Sequence, residues 1–180
     1  ANNHATLFRN SCEPNLSALI PQLACSAQQD FDPVIRRRAM RTIRCIAGSM
    51  VIEAKNLIQK GNLSSFLIDI ISRKRAQEEE HDQDMLIQAC QTVLAMKESI
   101  QAEEWTLLQT ALLQLMQNTT NADVVPAAAL CLSESLNENH LDPSSSCFSV
   151  QFWNNIERMV STSLKVHAAI SELLVVIVTI

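Results

Sequence analysis

The chain has 180 residues, 47% of them apolar, so it can bury a core of domain size. Two Gly, no Tyr and 4% aromatic residues exclude the many turns and strands of a β-sandwich or barrel, and no Gly-rich phosphate turn of a nucleotide-binding α/β domain is present. The net charge of −5 makes a poor general nucleic-acid binder, yet it is uneven: residues 1–75 hold 11 of the 14 Lys and Arg but 5 of the 19 Asp and Glu, about +6, which leaves about −11 for the rest.

In chain order, NLSALIPQL (residues 15–23) predicts a first helix with Leu16, Ile20 and Leu23 on one face. DPVIRRRAMRTIRCIA, from Asp32, predicts a second helix, with Asp32 as N-cap and Pro33 in the first turn. Its core face reads as Ile35, Ala39, Ile43 and Ile46, with Met40 beside it. At 100° per residue, Arg37, Arg41 and Arg44 fall within about 60° of one another on the far side, while Arg36 and Arg38 flank the core face. EAKNLIQKGN (53–62) predicts a brief helix stopped by Gly61. NLSSFLIDI (62–70) then returns the first stripe as Leu63, Leu67 and Ile70, and RKRAQEEEHDQD (73–84) reads as a charged connection.

DQDMLIQACQTVLAM, from Asp82, returns the second helix. A shift of 50 superposes Ile35 on Met85, Ala39 on Ala89, Thr42 on Thr92, Ile43 on Val93 and Ile46 on Met96. A third pair follows, with Leu108, Leu112 and Leu115 in its first helix and Val125, Ala129 and Leu136 in its second. Asp82 or Asp84 and then Asp123 are the expected caps of the two later second helices, and Pro126 falls in a first turn. After the loop HLDPSSSCFSVQ (140–151), Trp153, Ile156 and Val160 form a looser fourth stripe, followed by LKVHAAISELLVVIVTI. The leading Leu or Trp of successive stripes lie 47, 45 and 45 residues apart, the mark of an internal repeat.

Chemistry-bearing patterns are sparse. No two of the six cysteines have CxxC spacing, and Cys45, Cys90 and Cys131 sit in apolar helical patterns as small hydrophobes, which points to reduced thiols and an intracellular location. His4, His81, His140 and His167 form no metal-ligand spacing, and the acids from Glu78 to Asp84 lack the Asp/Asn–Gly alternation of a calcium loop. No phosphate loop, nucleophile elbow or zincin motif occurs. The expectation is therefore a non-enzyme without catalytic residues, metal or cofactor. The six methionines read as core filling, and Trp105 and Trp153 as packing residues at the start of first helices. The chain is read as one domain over 1–180, cut from a longer protein, with units at approximately 12–51, 53–99, 100–139 and 150–180. SELLVVIVTI is apolar on every side but far short of the roughly 20 residues of a membrane span. Residues 170–180 are expected to be covered by further repeats or by a second chain.

A long helix pair at a period near 45 residues resembles the armadillo and HEAT repeat superfamily. The first unit is HEAT-like in Asp32, Val34, Arg36 and Ala39, and the second is armadillo-like in NLIQKGNLSSFLIDII. The third departs from the pattern, with IQAEEWTLL in place of the Gly turn, and the fourth is degenerate. The resemblance implies an all-α, right-handed α-solenoid of about four repeats, used as a binding surface and with the second long helix of each repeat lining its groove. Arg37, Arg41 and Arg44, joined by Arg38, Gln88 and Gln91, are then the candidate residues for binding a partner protein or peptide. Guanidinium forks suit carboxylates, so an acidic peptide fits better than DNA. The expected function is a protein-interaction scaffold. The alternatives are nucleic-acid or phosphate association through the basic N-terminal region, including Arg73, Lys74 and Arg75, and a purely structural segment.

Overall fold

The computed structural model describes residues 18–49, 63–72, 80–119, 121–139, 148–161 and 163–179, and these contain helices but no strand. Helix α1 runs over 18–29. It is followed by α2 (Pro33–Ser49), α3 (Leu63–Ser72), α4 (Glu80–Ala95), a short 3-10 turn (Lys97–Ser99), α5 (Ala102–Asn118), α6 (Val124–Asn139), α7 (Val150–Val160) and α8 (Leu164–Thr179).

Local chemistry sets several of these starts. The Asp32 carboxylate accepts the Val34 N–H at 2.8 Å, as an N-cap should. The Glu104 carboxylate reaches back to the Gln101 N–H at 2.9 Å, one half of a capping box. Ser149 Oγ accepts the Phe152 N–H at 3.2 Å ahead of α7. The expectation that Asp123 caps α6 is corrected: the Asn121 side chain does so, accepting from the Asp123 and Val124 N–H groups at 2.7 and 3.2 Å. Asp82 and Asp84 are not caps either, because α4 already begins at Glu80.

Contacts order the helices into two layers. In one, α2 packs on α4, α4 on α6 and α6 on α8. In the other, α3 packs on α5 and α5 on α7. Between the layers α3 meets α4, α5 meets α6 and α7 meets α8. The inter-helix hydrogen bonds follow the same order. Gln28 Nε2 donates to Asp69 at 3.3 Å from α1 to α3, and Lys97 Nζ donates to Glu134 at 2.9 Å from the end of α4 to α6. The Asn121 amide meets Gln83 at the start of the same α4–α6 pair. Partners in these bonds are about forty residues apart; starts meet at Gln83 and Asn121, and late residues meet late residues at Gln28 with Asp69 and at Lys97 with Glu134, so neighbours within a layer run parallel.

The core is a single apolar cluster between the layers. Leu63, Leu67 and Ile70, then Leu108, Leu112 and Leu115, are all buried, as their stripes predict. Each such leucine contributes roughly 1.5–3 kcal/mol relative to full exposure. Ala39, Ala89 and Ala129 are buried at equivalent positions of α2, α4 and α6, where a methyl lets neighbouring backbones approach. The fourth stripe is corrected: α7 buries Phe152, Asn155, Ile156 and Met159, whereas Trp153 is 38% exposed. Trp105 is buried, in keeping with packing. The face of α2 also differs from expectation. Ala39, Met40, Ile43 and Ala47 are buried, but Ile35 is exposed and Ile46 is half-buried. The brief helix expected over 53–62, with Gly61, lies outside the described residues.

Candidate functional site

The candidate arginines stand beside the α2–α4 contact. Because α2 buries Ala39, Met40, Ile43 and Ala47, the side bearing Arg37, Arg41 and Arg44 adjoins the core rather than lying behind it, and it turns towards α4. Arg41 Nη2 donates to the Asp84 carboxylate at 3.0 Å, with 57% of the Arg41 side chain still exposed. Arg44 Nη1 donates to Gln91 Oε1. Gln88 is buried one turn from Asp84 and donates to it at 3.4 Å. The structure thus joins Arg41, Arg44, Gln88 and Gln91 with Asp84 in one polar seam. Arg38 is exposed, with no side-chain hydrogen bond to that seam, and Arg36 donates to the Asp30 and Phe31 carbonyls at 2.9 and 3.4 Å. Arg37 Nε and Gln88 Oε1 are buried atoms without a hydrogen-bond partner among the described residues.

The sequence reading missed what lies next to this seam. Along α4 no residue from Gln83 to Met96 is exposed, although the helix sits in an outer layer. The half-buried residues are Gln83, Asp84, Ile87, Gln91, Leu94 and Ala95, all on one side of the helix by the 100° step. Ile87 and Leu94 are therefore an apolar pair at the floor of a shallow trough between α2 and α6. The available signal was two large apolar residues seven apart, off the core stripe of Met85, Ala89, Val93 and Met96.

The two walls differ in charge. Helix α2 carries five arginines and no acid, whereas α6 carries two glutamates and no base. Arg38 and Arg41 are exposed on one wall, and on the other Asp123 is exposed and Glu134 half-buried. Lys97 offsets part of the acidic wall through its bond to Glu134. Mixed charge over an apolar floor suits a two-sided macromolecular partner better than a uniformly charged one.

Other chemical groups fall elsewhere. Cys90 and Cys131 are buried on facing helices α4 and α6. A hydrogen bond with Cys90, then burial, then the charges of Cys90 and Glu134 push the Cys131 thiol well above its ordinary range. Cys45, expected to fill a core position, is exposed. His167 is exposed on α8, beside an open cleft of about 290 Å³ lined by Val160, Ser161, Ser163, Leu164 and His167. Arg73, Lys74, Arg75 and the acids Glu78 and Glu79 lie outside the described residues. Among the described residues no helix is long and apolar enough to cross a membrane. No family model matches the chain, and neither a curated protein nor a solved structure is significantly similar to it.

Proposed function

We propose that this chain is a right-handed α-solenoid of about four armadillo/HEAT-like repeats, acting as a non-enzymatic, intracellular protein-interaction scaffold. Its binding face is the outer side of the α2–α4–α6 layer. The observation that carries this reading is the recessed α4 stripe: Ile87, Leu94, Asp84 and Gln91 are half-buried beside α2, whose Arg41 and Arg44 bond Asp84 and Gln91. The order of helix contacts supports the repeat architecture, since each pair adds one helix to each layer. The open flank of α8 supports the same view. Val175 and Val178 are exposed there, where α4 and α6 have a neighbour on each side, and further repeats or a second chain would cover them.

Arg41 spends part of its donor capacity on Asp84, so an incoming carboxylate would meet Arg38 and the exposed edge of Arg41 first. The test is affinity capture from cell extract with the wild type and with Arg38→Glu/Arg41→Glu, each checked for helix content. The expected result is a specific protein retained by the wild type and lost with the variant. A chain that instead binds arbitrary duplex DNA, with affinity falling steeply as salt rises, would replace this reading with the nucleic-acid one. If neither is bound, the structural-segment reading stands.

A further inference from the structure

Helix α8 has two apolar sides. One buries Val166, Ile170 and Leu173 in the core. By the 100° step, Leu164, Ala168, Ser171, Val175 and Val178 fall within about 80° of one another on the opposite side. All five are exposed, Leu164 to 89%, Val175 to 63% and Val178 to 83%. Their spacing of four, three, four and three is the seam of a helix pair. The stripe is also nearly palindromic about Ser171. Ala168 lies three residues before it and Val175 four after, and Leu164 and Val178 lie seven to either side. Antiparallel pairing of two copies sets Ala168 against Val175 and Leu164 against Val178, small on large at the centre, whereas parallel pairing sets alanine on alanine and leaves a gap. We infer that the exposed stripe of α8 is a homodimer seam, on which α8 of a second copy packs antiparallel with the two-fold axis at Ser171.

The seam goes beyond the scaffold reading and shares no residue with the α2–α4–α6 face. It also differs from the junctions between successive helices of that layer. Those carry polar bonds, Arg41 with Asp84, Asn121 with Gln83 and Lys97 with Glu134. The α8 stripe has no charged or amide side chain with which to make one. Lys165 and Glu172, exposed beside it, carry opposite charges, so two copies meet without net repulsion. The open cleft beside Leu164, about 290 Å³, lies where the end of the second helix, with its Val178, comes to rest. A pair of 16-residue helices gives an interface at the small end of specific ones, below about 1,200 Å² in total, so a dimer of roughly micromolar to hundred-micromolar affinity is expected.

The test is sedimentation equilibrium of the full chain over about 10 μM to 1 mM, with a monomer–dimer equilibrium and no larger species as the expected result. Val175→Lys changes a residue exposed in the monomer, so helix content and the unfolding midpoint should stay as they are while association weakens at least about tenfold. Crosslinking then reads the geometry, in a background with Cys12, Cys25, Cys45 and Cys147 replaced by serine. Oxidation with copper–phenanthroline should link Ser171→Cys into a covalent dimer. It should leave Leu164→Cys unlinked, because antiparallel pairing holds the two copies of that position about 21 Å apart along the axis. A chain that stays monomeric to about 1 mM overturns the inference. So do assemblies that keep growing with concentration, which mark head-to-tail stacking, a dimer indifferent to Val175→Lys, and crosslinking at Leu164→Cys in place of Ser171→Cys. Each of these outcomes leaves the scaffold reading standing, since its binding face lies elsewhere.

Discussion

Helices α2 and α4 carry nearly the same apolar pattern, yet the structure treats them differently. Ala39 and Ala89 are both buried, as are Ile43 and Val93. Ile35 is 44% exposed where its counterpart Met85 is 6%, and Thr42 is exposed where Thr92 is fully buried. The cause is position. Helix α4 is flanked by α2 and α6 in its layer, whereas α2 packs there on α4. Burial at a repeated position is set by how many neighbours its unit has, not by the residue alone.

The strongest test of that comparison is a matched pair of substitutions. Met85→Asp buries an unpaired carboxylate and should cost about 3 kcal/mol or more, enough to unfold much of the chain. Ile35→Asp should stay within about 1 kcal/mol. Urea unfolding followed by circular dichroism separates the two, and equal losses would contradict the difference in cover. Thiol labelling makes the same contrast kinetically. Cys25 and Cys45 are exposed, whereas Cys90 and Cys131 are buried and the raised Cys131 thiol stays protonated at neutral pH. Iodoacetamide followed by peptide mass spectrometry should therefore modify the first two at least about a hundredfold faster.

A smaller effect is expected at the other layer. Buried Asn155 donates to the Met116 carbonyl and, at 3.2 Å, to the Thr119 carbonyl, closing the end of α5 from α7, and Arg158 in turn donates to its side-chain oxygen. Asn155→Leu leaves those carbonyls without donors and should cost about 1–3 kcal/mol by urea unfolding. The Arg41–Asp84 ion pair of the seam is more exposed, and a double-mutant cycle should give below about 1 kcal/mol, shrinking further with added salt. Val178, 83% exposed at the α8 edge, is the quiet end of the series: Val178→Ser should change stability by less than about 0.5 kcal/mol.

Much of this helical order is legible in the sequence, because a stripe such as Leu108, Leu112 and Leu115 is a local property of 3.6-residue periodicity. What is not local is harder to read. The partners of Arg41 and Arg44 are Asp84 and Gln91, 43 and 47 residues away on a neighbouring helix. Their separation, close to one period, is the only trace of the pairing in the sequence; the helical wheel alone puts the arginines on the far side of α2, facing solvent or a groove, and names no partner on α4. Trp153 begins a looser copy of the stripe and so reads as buried, but α7 turns Phe152 and Asn155 inward instead. Phe148 and Phe152 then pack against the indole edge-on or tilted, with centroids 6.0 and 5.1 Å away. The apolar pair Ile87 and Leu94 was hidden for a related reason: in a helix this apolar, two further large residues look like core until the neighbouring helices show which sides are covered.

The claim on which the scaffold rests is that α2, α4, α6 and α8 form an open row rather than a closed bundle. Electron–electron double resonance between spin labels at Arg38→Cys on α2 and Glu172→Cys on α8, with Cys12, Cys25, Cys45 and Cys147 replaced by serine, measures the length of that row. Three interaxial steps of about 8–10 Å predict a mean separation of about 24–30 Å between the two helix axes. A narrow distribution below about 20 Å would bring the two end helices together and contradict the account.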